Sequence, residues 1–421
     1  MTSRRHPRLV AYAALAALGM LGGVALGRPD LIALVAPFAV WLALGGALSS
    51  RPRLRVDLGL ERSRTAEGEV AALILGLEGG PIPWLELEAP APPGLEPKTG
   101  RIRLCLAEGA RETRRLELTC KRWGAYRLGP IWARAQDPFG LFQFSGEVGE
   151  GVGIRVYPSW VRLRQLVPPA RTQVFAGNRI ARQSGEGIEF AEVREFLPGD
   201  RVRHINWRVT ARTGVPHVNL LHLERNSDVI LFIDSFTEVG QGRDTVLSLA
   251  VRAAAALAEG HLRQRDRVGV VGFGGLVRWL HPAMGPRHLY RVVEALLDTD
   301  VVTSYAWRDL EVIPPRVLPP AALVVALSPL LDPRSLGAMA DLHHRGFDLL
   351  VLEIAPERLV GRELQRVDEV ALRVWRAQRD ARRHRLQRSG VGVVEWHPEV
   401  PLEVALAAAR EYRRSARPAL R

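Results

Sequence analysis

Cysteine and lysine are almost missing from this chain, and each shortage excludes something. Cys105 and Cys120 are the only cysteines in 421 residues. Two thiols cannot build a disulfide scaffold or a four-thiolate zinc site, although a single bridge between them stays open. A reducing compartment is the expectation. Lys98 and Lys121 are the only lysines among 58 basic residues, so 56 arginines carry a formal net charge of +13. GC-rich coding produces that skew as readily as selection for binding does. Aromatic residues reach only 6%, but 47% hydrophobic and 24% charged residues form a globular balance, which excludes general disorder and a fibrous repeat.

Catalytic signatures are missing as well. The chain has no Gly-x-Ser-x-Gly elbow, no phosphate-loop Gly-Lys-Ser/Thr series and no His-Glu-x-x-His helix. Gly272-Phe-Gly-Gly275 follows a strand pattern without the full dinucleotide fingerprint and reads as a tight strand-end turn. The eleven histidines are scattered, with His343 and His344 expected on a helix surface. No nucleophile, base and orienting group converge in sequence, so an enzyme has the least support. No internal repeat of 20 to 50 residues is evident.

What is present begins with two long apolar runs, residues 9–27 and 31–50, of 19 and 20 residues without a charge. Each is long enough to cross a hydrocarbon layer about 30 Å thick. A cleaved signal peptide is the competing reading of the first run, but only Arg28, Pro29 and Asp30 separate it from the second. A transmembrane hairpin is therefore expected over 1–52, with Gly22, Gly23 and Pro37 as candidates for the helix contact. Arg4, Arg5 and Arg8 precede the hairpin and Arg51, Arg53 and Arg55 follow it. The positive-inside rule then puts both flanks and the soluble bulk in the cytoplasm, anchored to the inner membrane.

Residues 53–158 change character. Short apolar stretches at 70–77, 82–87, 102–106 and 116–120 alternate with Gly and Pro turns, the spacing of a small antiparallel sandwich. After a connector over 159–227, residues 228–421 alternate strand and helix. Continuous apolar runs at 229–233, 268–273, 321–327, 349–354 and 391–396 suit buried parallel strands. Helical stretches near 246–257, 287–297, 367–386 and 402–412 separate several of them, which predicts a doubly wound α/β domain with right-handed crossovers.

The densest mixture of charge and aromatics lies between Gly185 and Arg212. Glu189, Arg194, Asp200, Arg203 and Arg212 are candidates for a paired network, with Phe190, Phe196, Ile205 and Trp207 as apolar anchors and Pro198-Gly199-Asp200 as a turn. Such a mixture suits either an inter-domain joint or a recognition surface, because aromatics and arginine dominate interface energetics. A second basic stretch, Arg376 to Arg388, holds six arginines against Asp380. Val367, Val370, Ala371 and Val374 define the apolar face of that helix, so the arginine face is expected to meet solvent or an anionic membrane surface. No nucleic-acid recognition module accompanies the charge, and nucleic acid is not an expected partner.

The series Gly187, Glu189, Phe190, Arg194, Phe196, Gly199, Asp200, Arg203, Ile205, Trp207, Ala211 and Arg212 resembles the signature of the domain-of-unknown-function 58 family. Phe196 stands where many members carry Tyr. Asp137-Pro-Phe-Gly-Leu-Phe142 is similar to the segment that closes the family's β-rich region. The resemblance implies paired N-terminal spans, a von Willebrand factor A-like α/β domain and a MoxR-type AAA+ ATPase as partner. It also implies a Mg²⁺ site of the form Asp-x-Ser-x-Ser at the end of the first parallel strand. Here that loop is Asp234-Ser-Phe236-Thr-Glu238, so only Asp234 matches, and Pro329 stands in the later loop where an Asp is expected. Asp332 and Glu238 are the candidate substitutes. No metal or cofactor is expected. The leading expectation is a non-enzymatic membrane-anchored scaffold that docks through Asp234 and the 189–212 segment. The alternative is a cation-dependent adhesion module with a rebuilt metal site.

Overall fold

The structure, a computed structural model, describes the chain except residues 1, 50, 170–179, 186–188, 199, 201, 225–226, 276, 300, 302–317, 321, 360–368 and 416–421. The chain divides into two compact units, Met1–Tyr157 and Pro158–Arg421.

In the first unit a short strand β1 (Thr2–Arg5) leads into helix α1 (Pro7–Ala25), followed by α2 (Pro29–Leu48). Both helices are long and apolar enough to span a bilayer. They approach through small residues. A Cβ on Gly19 would lie 2.3 Å from Val35 Cγ1, and one on Gly23 would lie 2.5 Å from Ile32 Cγ1. Tyr12 and Phe38 stack beside this seam with centroids 5.4 Å apart. Of the expected contact residues only Gly23 serves. Gly22 has nothing within 4 Å, Pro37 is exposed, and Gly19 takes their place because it shares a helix face with Gly23.

The strands that follow are β2 (Leu54–Leu60), β3 (Arg64–Ala66), β4 (Val70–Gly79), β5 (Ile82–Glu88), β6 (Leu95–Pro97), β7 (Arg101–Leu106), β8 (Ala110–Cys120), β9 (Gly124–Leu128), β10 (Ile131–Gln136), β11 (Phe142–Val148) and β12 (Val152–Tyr157). They form sheets ordered β1-β11-β10-β5-β7, β2-β4-β8-β6 and β3-β12-β9. Alternate residues such as Leu73, Leu75 and Leu77 meet Leu85, Leu87, Leu118 and Ile131 in one core, as the period of two requires. Cys120 is buried in that core and Cys105 is exposed, and both are free thiols.

The second unit opens with β13 (Ile180–Gly185), β14 (Glu189–Glu195), α3 (Trp207–Thr213) and β15 (His217–Glu224), whose strands make a small sheet ordered β13-β15-β14. Then come β16 (Asp228–Ser235), β17 (Gly240–Gln241), β18 (Asp244–Thr245), α4 (Val246–Arg263), β19 (Arg267–Gly274), β20 (Arg278–Ala283), α5 (Pro286–Leu297), β21 (Leu323–Ser328), α6 (Pro333–His344), β22 (Asp348–Ile354), α7 (Glu369–Arg388), β23 (Gly392–Trp396) and α8 (Leu402–Ser415). Their main sheet runs β20-β19-β16-β21-β22-β23, with β20 antiparallel on the edge and the other neighbours parallel. The order reverses between β16 and β21. Right-handed crossovers therefore carry α4 to one face and α6 to the other. Ile230, Phe232, Val324 and Val351 pack with Ala338, Met339 and Leu342 of α6 and Leu386 of α7.

Helix α7 is turned over relative to the sequence expectation. Val370 and Val374 are exposed, Val367 lies outside the described residues, and Arg379 is only 2% exposed. Arg379 and Arg383 face Glu353 on β22 and Glu395 on β23, which are paired residues of neighbouring parallel strands. Two carboxylates at one register of a covered sheet demand cations, and that demand outweighs the burial of two valines.

Candidate functional site

The topological reversal puts β16 and β21 side by side at their carboxyl ends, where open α/β sheets bind ligands. Asp234 stands there, 1% exposed. Its carboxylate accepts hydrogen bonds from Ser328 Oγ at 2.6 Å and from Phe236 N at 3.2 Å. Ser328 Oγ in turn accepts from Leu330 N at 3.0 Å. Burial pushes Asp234 above the usual carboxylate range, against the hydrogen bonds from Ser328 and Ser335.

Asp332 caps α6 by accepting from Arg334 N at 2.8 Å, and it also holds the Arg334 guanidinium through Nε at 3.0 Å and Nη2 at 2.8 Å. Burial raises the Asp332 carboxyl, but the hydrogen bonds and charge of Arg334 together leave it below its ordinary value. The same guanidinium lies 4.0 Å over the Phe236 ring. An internal cation thus stands beside Asp332 and Asp234, and Phe236, which breaks the metal-loop pattern, is its platform. Pro329 is buried directly after Ser328, and Glu238 is exposed on the loop beyond. Leu330 adopts a left-handed φ of 55°, held by Arg382 Nη1, which donates to Leu330 O at 3.1 Å and Leu331 O at 2.8 Å. Among the described residues no three His, Cys, Asp or Glu side chains come together as a metal cluster.

Because Asp234 binds its proton more tightly folded than unfolded, its ionisation erodes stability as pH rises from the unfolded value near 4 toward the raised folded one. Asp234→Asn removes that loss. The stability of the variant minus that of the parent should therefore grow as pH rises above about 4. Urea midpoints of both chains between acidic and neutral pH measure it. A constant difference would mean that Asp234 does not titrate differently in the two states.

The signature segment forms a second site. Arg194 on β14 clamps Asp200 through two hydrogen bonds of 2.8 Å. Asp200 also accepts from Leu197 N at 2.8 Å, which closes the turn, and the Arg194 hydrogen bonds hold its carboxyl below the usual range. Asn206 caps α3 by accepting from Val209 N at 3.1 Å and donates to Asn219 Oδ1 on β15 at 2.8 Å. Gly214, at φ 75°, ends α3 in the left-handed conformation that favours glycine. The frame is closed by its own hydrogen bonds, but it is smaller than the network expected from sequence. Arg203 and Arg212 are exposed outside the Arg194–Asp200 pair, and Trp207, expected as an apolar anchor, is 67% exposed. A seven-residue helix capped at both ends has room for few inward positions, so its first residue points out. Phe196 and Ile205 are half-buried. Glu189 and Phe190 lie on β14, and Gly199 lies outside the described residues. Leu197, Val202 and Val215 add exposed apolar area to the segment, and Arg208 adds charge. Sequence reasoning missed Asn206, although an Asn just before a short helical pattern is an ordinary N-cap signal. It also missed Arg334, whose role depends on a ring two loops away.

A doubly wound α/β unit whose buried strand-end carboxylate is held by Ser328 beside the Asp332–Arg334 pair, preceded by an arginine- and tryptophan-bearing helix, defines the class. Residues 192–374 match the family described as Protein of unknown function DUF58, so that segment is similar to that family. Uncharacterized proteins of Mycobacterium bovis and Mycobacterium tuberculosis are 29% identical over 209 residues, 47% of this chain. The chain covers 64% of the length of these relatives. Among solved structures, the CARDB domain of a Pyrococcus furiosus protein in complex with di-metal ions shares 11% identity over 25% of this chain and 88% of its own, with a TM-score of 0.18. The cupredoxin domain of amoB from Nitrosocaldus yellowstonii shares 12% over 28% of this chain and 99% of its own, also with a TM-score of 0.18. Likeness that slight bears on neither fold nor ligand.

Proposed function

We propose that this chain is a membrane-anchored scaffold that docks a protein partner through the exposed face of α3 and its flanks. The observation that carries the reading is the division of labour within the signature segment. Arg194, Asp200 and Asn206 spend their hydrogen bonds on holding the frame, whereas Trp207, Arg208 and Arg212 are exposed on α3. A hydrogen-bonded frame that presents tryptophan and arginine has the composition and preorganisation of an interface hot spot. The helix pair Pro7–Ala25 and Pro29–Leu48 supports anchoring. The arginines on both flanks support an inner-membrane protein with its soluble units in the cytoplasm. The sheet order and the position of Asp234 support a von Willebrand factor A-like reading of the second unit, with Arg334 in place of a divalent cation. The partner implied by the family resemblance is a MoxR-type AAA+ ATPase, and the scaffold performs no chemistry of its own.

The test is equilibrium binding of a purified MoxR-type ATPase from the same cell to the full chain in nanodiscs. Trp207→Ala combined with Arg212→Ala is expected to weaken binding by about 2–4 kcal/mol, the range of hot-spot truncations. Both side chains are exposed, so the urea midpoint should not move. Unchanged affinity in a variant of unchanged stability would remove this face from the interface.

A further inference from the structure

We propose that the Asp137–Phe142 turn of the strand-rich domain is a bilayer contact, seated against the last turns of α2 between the headgroup boundary and roughly 10 Å beneath it. This rests on α1 and α2 crossing the membrane. Helix α2 has 20 residues, about 30 Å at 1.5 Å each, which matches the hydrocarbon thickness with nothing to spare. Any group packed beside its interior positions therefore shares the lipid's depth. Trp41 Nε1 donates to Phe139 O at 3.1 Å, and the two rings meet edge to face with centroids 5.3 Å apart. A Cβ on Gly45 would lie 2.3 Å from Leu141 Cδ1 and 3.3 Å from Phe139 Cβ. Gly45 and Trp41 stand roughly 5 and 10 Å inside the Leu48 end of the helix, so Phe139 and Leu141 stand there too.

The turn is built before any lipid arrives. Asp137, 2% exposed, accepts from Phe139 N at 3.2 Å and Phe142 N at 2.7 Å, and Gly140 takes the left-handed φ of 69°. The chain's other end closes on the same place. β1 pairs Arg5 with Phe142, and His6 N donates to Leu141 O at 2.9 Å. Pro138 is left exposed at the tip and Phe139 is half-buried. Arg4, Arg5 and Arg8 are exposed around it, where arginines reach headgroup phosphates while their stems lie along apolar surface. An apolar tip ringed by arginine matches the polarity gradient of the interface.

The experiment uses the full chain in phosphatidylcholine–phosphatidylglycerol nanodiscs, with Cys105→Ser to remove the exposed thiol. Pro138→Cys, Leu34→Cys and Glu61→Cys would each carry one environment-sensitive fluorophore. Leu34, 70% exposed on α2, reports the spanning segment, and Glu61, beyond the end of β2 away from α2, reports water. The Pro138 label is expected to emit to the blue of the Glu61 label and to be quenched by lipids spin-labelled near the headgroup. The Leu34 label, roughly 7 Å inside the opposite end of α2, should be shielded from aqueous quencher and quenched by lipids labelled along the acyl chain. A Pro138 label that behaves like the Glu61 label, with Leu34 shielded, would overturn the turn's contact and leave the spanning reading standing. A Leu34 label accessible to aqueous quencher would overturn both. Gly45→Leu, which forces Leu141 away, should move the Pro138 label toward the aqueous signal while Leu34 stays shielded; no movement would overturn the seat on Gly45.

Discussion

Arg379→Ala is expected to cost the second unit about 3–5 kcal/mol, the penalty for stripping one partner from a buried ion pair. Glu353 is 0% exposed, and its Oε1 accepts from Arg379 Nε at 3.0 Å and Nη2 at 2.5 Å while Oε2 accepts from Arg383 Nε at 2.5 Å. Arg379 also bonds Glu357 and reaches Glu395 at 3.5 Å. Its removal leaves Glu353 and Glu395 to Arg383 alone and takes from Glu357 the hydrogen bond that Arg379 gives it. Arg376→Ala, on the exposed side of the same helix, should change stability by no more than about 0.5 kcal/mol. Urea titration of the full chain in detergent, with hydrogen exchange at β22 amides, separates the two variants. Equal losses would mean that the buried arginine holds nothing its exposed neighbour does not.

The second large effect is expected beneath Asp234. Phe273 is fully buried, with its ring centroid 5.2 Å from those of both Phe232 and Phe236. Phe236 carries the Arg334 guanidinium above it. Phe273→Ala opens a cavity in the sheet's core and withdraws support from the ring on which the internal cation rests, for about 3–5 kcal/mol. Phe273→Leu keeps most of the volume and should cost under about 1.5 kcal/mol. Similar losses for the two would show that the aromatic ladder contributes no more than aliphatic filling.

Both effects arise in places that a one-dimensional reading describes incompletely. The arginines of α7 looked solvent-facing because their partners, Glu353 and Glu395, sit on strands whose sequence signal is the apolar run around them. Only the parallel register brings those two carboxylates together. Asp234 was legible as a strand-end carboxylate, with no side-chain oxygen at Phe236 or Pro329 to accompany it. The cation beside it, Arg334, comes from nearly a hundred positions away. In the signature segment, the Arg194–Asp200 clamp follows from a turn of six residues and could be anticipated. The outward turn of Trp207 could not, because helical periodicity over seven residues does not say which side is covered.

The amino-acid order by itself determined the two apolar spans, the strand-rich region and the alternating strands and helices. A twenty-residue neutral run is long and apolar enough to cross a bilayer, a period of two or an unbroken apolar run has few foldings, and these signals are local. Tertiary structure decided which residues do the holding: Gly19 rather than Gly22 at the helix seam, Arg379 inside rather than out, Arg334 over Phe236, and the Asp137–Phe142 turn against Trp41. Each of these is a pairing across a long stretch of chain, where the partner's charge, shape or smallness sets the outcome, and no spacing along the chain encodes a partner.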